Sequence, residues 1–225
     1  TFNSLNISSN TLTGALGYAV TYSIPMLTEL HCSDCELTDD DMWAIVELIR
    51  RGLLELFMDS NNFTDQAYAR LYGELTTNPP LTVLFMSPHS MTSSVNVAEV
   101  IKTNTVLKKL HLDGDRYRNI DRPAQGPAPG MLADGVMTIA QALKFNRTLT
   151  NLTLSNNNAG GDAIALLVET AVDNNVLRQL ECFDYSRKYT DDEKILLNYA
   201  FENLFSRNTT LNWISFNFEW PWVNN

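Results

Sequence analysis

Cysteine is scarce in this chain: three in 225 residues, at Cys32, Cys35 and Cys182. An odd, scattered set makes no disulfide framework, and a reducing, cytoplasmic setting is the simpler reading. Positive charge is also short, with 16 Lys and Arg against 26 Asp and Glu, a net charge of −10 and a pI near 4.7. Nucleic-acid binding needs clustered cations on the phosphates, so DNA and RNA are poor partners. No run of 18 apolar residues exists to cross a membrane as a helix, and the first ten residues, TFNSLNISSN, have neither the basic nor the apolar region of a signal peptide. Histidine is limited to His31, His89 and His111, which leaves a hydrolytic site few bases. Glycine-rich phosphate loops, a Ser/His/Asp set and a zinc-protease helix are missing too. The expectation is a protein without catalytic residues, cofactor or metal.

What is present is repetition. Residues 149–157 read LTNLTLSNN, with leucines at positions 1, 4 and 6 and asparagine at position 9 of the pattern LxxLxLxxN. Alternation at Leu152 and Leu154 predicts a short strand with one buried face, and the asparagine can hydrogen-bond backbone in the turn that follows. The same template matches eight times, beginning at Phe2, Leu27, Leu53, Leu81, Leu107, Leu149, Leu177 and Leu211. Most intervals are 25 to 28 residues, but the fifth is 42 and the last is 34, which implies inserted residues. Between the strands the hydrophobic period changes to about 3.6, as in 42–51 and 163–172, and predicts helices. Thr38, Thr64 and Thr190 mark helix starts, the last with Glu193 in capping-box spacing. Recurrent asparagines, in KTNT, KFNRT and SRNTT, precede each return to a strand.

These motifs resemble the ribonuclease-inhibitor-like class of leucine-rich-repeat proteins across almost the whole chain. The resemblance implies an α/β solenoid of about eight repeats, a curved right-handed array with parallel strands on its concave face and helices on its convex face. It also implies a protein-binding role. Tropomodulins, GTPase-activating proteins for Ran, intracellular immune receptors and ciliary and cytoskeletal proteins share the class. The ninth position is degenerate (Asn10, Cys35, Asn61, His89, Asp115, Asn157, Tyr185, Glu219) and selects no subfamily.

The chain is expected to form one array over 1–225, as part of a longer protein, with an insertion at 115–130 and an aromatic cap at 211–225. The cap carries Trp213, Phe216, Phe218, Trp220 and Trp222, with Pro221 to stop further pairing. Register also decides two ambiguous motifs. Cys32 and Cys35 form a CxxC, yet they fall on a core and a turn position, so they are expected to be structural rather than redox or zinc residues. DGDRYRNID (113–121) lacks the closing glutamate and regular oxygens of a calcium loop. Five N-x-S/T sequons, at Asn6, Asn62, Asn146, Asn151 and Asn208, are about the four that 23 asparagines would give by chance for that motif.

Two candidate binding regions remain. Positions 3, 5 and 7 point away from the core, and position 5 reads Asn6, His31, Phe57, Phe85, His111, Thr153, Glu181, Ser215. Four consecutive ring-bearing rungs, with Asp59 and Asp113 at position 7 and Glu29, Glu55 and Lys109 at position 3, form a candidate protein-binding stripe. Rings that pack on one another merely to fill the concavity are the plain alternative. The second region is the insertion, where Arg116, Arg118 and Arg122 sit among Pro123, Pro127 and Pro129. It is read as a partner-contacting loop or a tolerated insertion. The function expected is a scaffold within a larger intracellular, cytoskeletal or ciliary assembly. A GTPase-activating role using one of the three arginines and the ligand-recognition region of an immune-type receptor are the alternatives.

Overall fold

A computed structural model describes residues 3–12, 14, 16–17, 26–87, 91–114, 131–182 and 188–216. Eight short strands form one parallel sheet in strict sequence order: β1 (Ser4–Asn6), β2 (Glu29–His31), β3 (Glu55–Phe57), β4 (Val83–Met86), β5 (Lys109–Leu112), β6 (Asn151–Thr153), β7 (Gln179–Glu181) and β8 (Trp213–Ser215). Every strand begins at position 3 of the repeat pattern. Six helices among the described residues alternate with them: α1 (Met42–Arg50), α2 (Asp65–Leu75), α3 (Met91–Thr103), α4 (Leu132–Leu143), α5 (Gly161–Val172) and α6 (Asp191–Arg207). This is a leucine-rich-repeat solenoid. Helices pack 8–10 Å apart whereas strands sit about 4.8 Å apart, so a sheet and a helical layer joined repeat by repeat must bend with the sheet inside the curve.

Pairing runs without slippage, because a one-residue slip would turn each leucine toward solvent. Leu5, Leu30, Leu56, Leu84, Leu110, Leu152, Leu180 and Ile214 form one row across all eight strands. The six central leucines of that row are buried and join helix residues such as Ile45, Leu71, Ile139, Leu167 and Phe201 in one continuous core. Each fully buried leucine contributes about 2 kcal/mol relative to exposure. Below the strands, the position-2 carbonyl of one repeat accepts from two successive N–H groups of the next, for example Thr28 from Leu54 and Glu55, and Lys108 from Thr150 and Asn151.

Two kinds of asparagine tie repeats together. At position 9, the Asn61 side-chain amide donates to the Cys32 and Met58 carbonyls, while its oxygen accepts from the Cys35 and Leu37 N–H groups. Asn157 repeats the pattern toward Leu112 and Leu154. Cys35 occupies the same position and its thiol donates to the Ile7 carbonyl at 3.0 Å, so cysteine does in the second repeat what asparagine does in the third. At the joints before β5 to β8, Asn104, Asn146, Asn174 and Asn208 accept from the two N–H groups that enter the strand and donate back to a carbonyl of the preceding repeat. Asn146 is buried with its amide donated to the Ile101 carbonyl, so that sequon is spent on the fold.

Helix starts follow the sequence in part. Thr190 and Glu193 form the expected capping box on α6, and Thr64 is the N-cap of α2. Thr64 is itself held by Asp39 of the preceding repeat. The start read at Thr38 is displaced: α1 begins at Met42 after Asp41, and residues 38–41 form a turn in which the Asp41 N–H donates to the Thr38 carbonyl and Oδ2 of Asp41 accepts from the Thr38 N–H. The 115–130 insertion lies outside the described residues, but its two roots do not. Gly114 N–H donates to the Ser155 carbonyl and Met131 N–H to the Asn157 side chain, so both roots fasten to one turn of the sixth repeat.

Candidate functional site

The face of the sheet turned away from the helices carries positions 3, 5 and 7. Register places Asn6, His31, Phe57, Phe85, His111, Thr153, Glu181 and Ser215 in one row across it. Strand spacing is close to aromatic stacking distance, so consecutive rings in such a row must stack. His31 and Phe57 have centroids 4.1 Å apart and planes 3° from parallel. Phe57 and Phe85 are 4.6 Å apart with a 33° tilt, and Phe85 and His111 are 4.5 Å apart at 11°. Each ring contact of this type contributes about 1 kcal/mol beyond area burial. The four rings therefore form a self-supported ridge whose faces are used internally and whose edges meet solvent.

Both ends of the ridge are imidazoles anchored to carboxylates two residues away in sequence, Glu29 within β2 and Asp113 just past the end of β5. His31 Nε2 donates to Glu29 Oε1 at 2.7 Å, and His111 Nε2 lies 3.1 Å from Asp113 Oδ2. The other Asp113 oxygen accepts from the Ser155 N–H. The hydrogen bond from His31, followed by one from Ser4, holds the Glu29 carboxyl below its ordinary value. Such anchors fix the ring plane and assign the Nε2 proton. Phe57 and Phe85 are half-buried, and Asp59 and Glu55 flank Phe57 on either side. Among the described residues neither Glu55 nor Asp59 has an ion-pair partner.

Six of the expected site residues, His31, Phe57, Asp59, Phe85, His111 and Asp113, thus share one continuous surface. Arg116, Arg118 and Arg122 lie outside the described residues. Sequence reasoning placed Glu29 on the right face without assigning it a part; its spacing of two from His31 was the available signal. Cys32, Cys35 and Cys182 are buried thiols, and desolvation pushes the Cys32 and Cys35 thiols up, away from the reactive thiolate. No group of three or more metal-binding side chains occurs among the described residues.

Other surfaces offer less. A shallow cleft on the helical side, lined by Lys144, Arg147, Glu169, Asp173 and Asn174, mixes both signs of charge and has no link to the ring ridge. On α6, Ile195, Tyr199 and Phe205 are exposed, as is Trp213 on β8, whereas Phe216 packs edge-on against Phe201 with centroids 4.7 Å apart. Phe218, Trp220, Pro221 and Trp222 lie outside the described residues. No described helix is long and apolar enough to cross a membrane.

Comparison with known proteins agrees with the repeat architecture. No protein-family profile matches the chain. The human NACHT, LRR and PYD domains-containing protein 5 is 28% identical over 147 residues, which is 63% of this chain and 11% of that protein. The chain therefore spans about a tenth of that relative's length. Among solved structures, actin-binding site 2 of leiomodin-1 superposes with a TM-score of 0.54 at 21% identity, over 67% of this chain and 79% of that one.

Proposed function

We propose that the chain is a non-catalytic protein-interaction module whose concave face, centred on His31, Phe57, Phe85 and His111, receives a protein partner within a larger assembly. The observation that carries this reading is the anchored four-ring ridge on the open face of the sheet. A ridge fixed by stacking and by two imidazole–carboxylate contacts loses little side-chain entropy on binding, which is the property of an interface anchor. The human relative and the leiomodin segment share the repeat architecture, and the latter is named for actin binding; at 21% identity that likeness carries the fold. A cytoplasmic, cytoskeletal or ciliary placement belongs to the proposal and is supported by three buried cysteines that form no disulfide.

The test is site-specific photocrosslinking in the native cell, with the crosslinker at position 85 on the ridge or at position 169 on the helical side. Neighbours captured from position 85 only, together with loss of their affinity in the Phe57→Ala, Phe85→Ala protein, are the expected result. The reading fails if the same neighbours are captured from position 169 alone, or if that double variant keeps its fold and its full affinity. A GTPase-activating role is tested separately: Arg116→Ala, Arg118→Ala and Arg122→Ala should leave GTP hydrolysis by purified small GTPases unchanged.

A further inference from the structure

The ridge is bordered by carboxylates on both sides. Toward the strand starts lie Glu29 on β2 and Glu55 on β3; toward the strand ends lie Asp59 and Asp113. In the same rows, across β2 to β5, the described cation is Lys109. Positions 3 and 7 are four residues apart, so the two acidic borders stand about 13 Å apart at the rise of a parallel strand. An α-helix with its side chains is about 10–12 Å across. An object of that width laid across the strands seats its lower face on the rings and brings each shoulder to a carboxylate row.

An extended peptide does not fit the same surface. The carbonyls of His31, Phe57 and Phe85 are already taken by the Ile7, Cys32 and Met58 N–H groups, so the face has no spare main-chain partners for an added strand. A helix satisfies its own backbone and needs only side-chain contact. Charge complementarity sets the sign, because Glu55 and Asp59, one on each side of the ridge and without an ion-pair partner among the described residues, favour cations.

We infer that the occupant of the concave face is a basic amphipathic helix of a partner protein, lying across β2 to β5 with an apolar stripe on the rings and Lys or Arg at both shoulders. This inference rests on the concave face being the binding surface. It adds the partner's secondary structure and charge.

Fluorescence anisotropy of the full 225-residue chain with four synthetic 18-residue peptides tests it. One peptide carries Leu at helical spacing with Lys and Arg elsewhere; one replaces the cations with Glu; one scrambles the basic sequence so that no apolar face forms; one alternates Leu and Lys in a strand pattern. The first should bind, more weakly as salt rises, and the other three should not. Glu55→Gln with Asp59→Asn, which touches no core residue, should weaken the first by about tenfold, the effect of losing two partly exposed charge contacts. Lys109→Gln should tighten it by about twofold on the same scale. Equal or better binding of the acidic or scrambled peptide overturns the charge assignment or the amphipathic one, and preference for the alternating peptide overturns the helix. If the neutralised protein binds the basic helix as tightly as before while Phe57→Ala, Phe85→Ala does not bind it, charge selection falls and the concave-face reading stands. If the phenylalanine variant stays folded and binds the basic helix normally, the concave-face reading itself falls.

Discussion

His31 and Phe57 lie face to face on neighbouring strands, with ring centroids 4.1 Å apart and planes 3° from parallel. Stacking of that quality requires the imidazole to be held upright, and Glu29 holds it through a 2.7 Å hydrogen bond. The consequence is reciprocal: an imidazole that donates to a carboxylate also favours its ionised form, so Glu29 sits below its ordinary value. Because the folded value is depressed, the stabilisation is fully present above the unfolded value and is lost as pH falls through the folded one. Carboxyl chemical shifts followed by NMR should show Glu29 titrating more acidically than a free glutamate, and His31→Phe should return it upward while keeping the stack. An unchanged Glu29 titration in that variant would show that the contact does not form in solution.

Asn157 serves two repeats at once. It is buried, it donates to the Leu112 and Leu154 carbonyls, and its oxygen accepts from the Met131 N–H where the insertion returns. Asn157→Ala strands those buried carbonyls and an N–H, and should cost about 3 kcal/mol by the penalty for unsatisfied buried groups. Asn157→Asp should also destabilise, since a carboxylate cannot donate to the carbonyls. The check is the midpoint of urea unfolding, and equal stability of Asn157→Ala and the parent chain would refute it.

Much of this frame was legible beforehand, because a period of two within strands and a near-constant interval between them report the same fact as the leucine row from β1 to β8. Register then carried the ring row with it: once Leu56 and Leu84 face inward, Phe57 and Phe85 must face outward and adjacent. Tertiary contacts between repeats left weaker traces. That Asp39 would hold Thr64 depends on groups from two repeats meeting, and no local period encodes it. The dual donor and acceptor work of Asn104, Asn146, Asn174 and Asn208 showed in the sequence only as a recurring letter, since its carbonyl partners belong to the preceding repeat.

Gly114, at the other root of the insertion, is fixed by proximity rather than by backbone angle. A Cβ built there would stand 1.8 Å from the Asn156 carbonyl oxygen and 2.6 Å from its carbon. Backbone cannot yield as a flexible side chain can, so Gly114→Ala must push the turn of the sixth repeat away from the fifth. The expected loss is about 2–3 kcal/mol, in the range for overpacking a tight contact. Gly73→Ala, where a Cβ meets nothing within 4 Å and the helix gains propensity, should be neutral or stabilising by about 1 kcal/mol. Thermal unfolding of the two variants side by side distinguishes the steric cause from a general intolerance of alanine.

Whether the ring ridge behaves as a unit is measurable without any partner. Phe57 touches His31 on one side and Phe85 on the other, so removing either phenylalanine breaks two ring contacts, but the contact between them can be lost only once. Phe57→Ala and Phe85→Ala should each cost about 2 kcal/mol, below the value for a fully buried phenylalanine because both rings are half-exposed. The double variant should cost about 1 kcal/mol less than the two single losses together, the coupling expected of one stacked pair. Additive losses in a denaturant-melt cycle would mean that the rings are independent surface groups, and the pre-organised anchor on which the binding proposal depends would be gone. Coupling of the expected size would instead show that the ridge is already rigid before any partner arrives, so that binding need not supply the cost of ordering it.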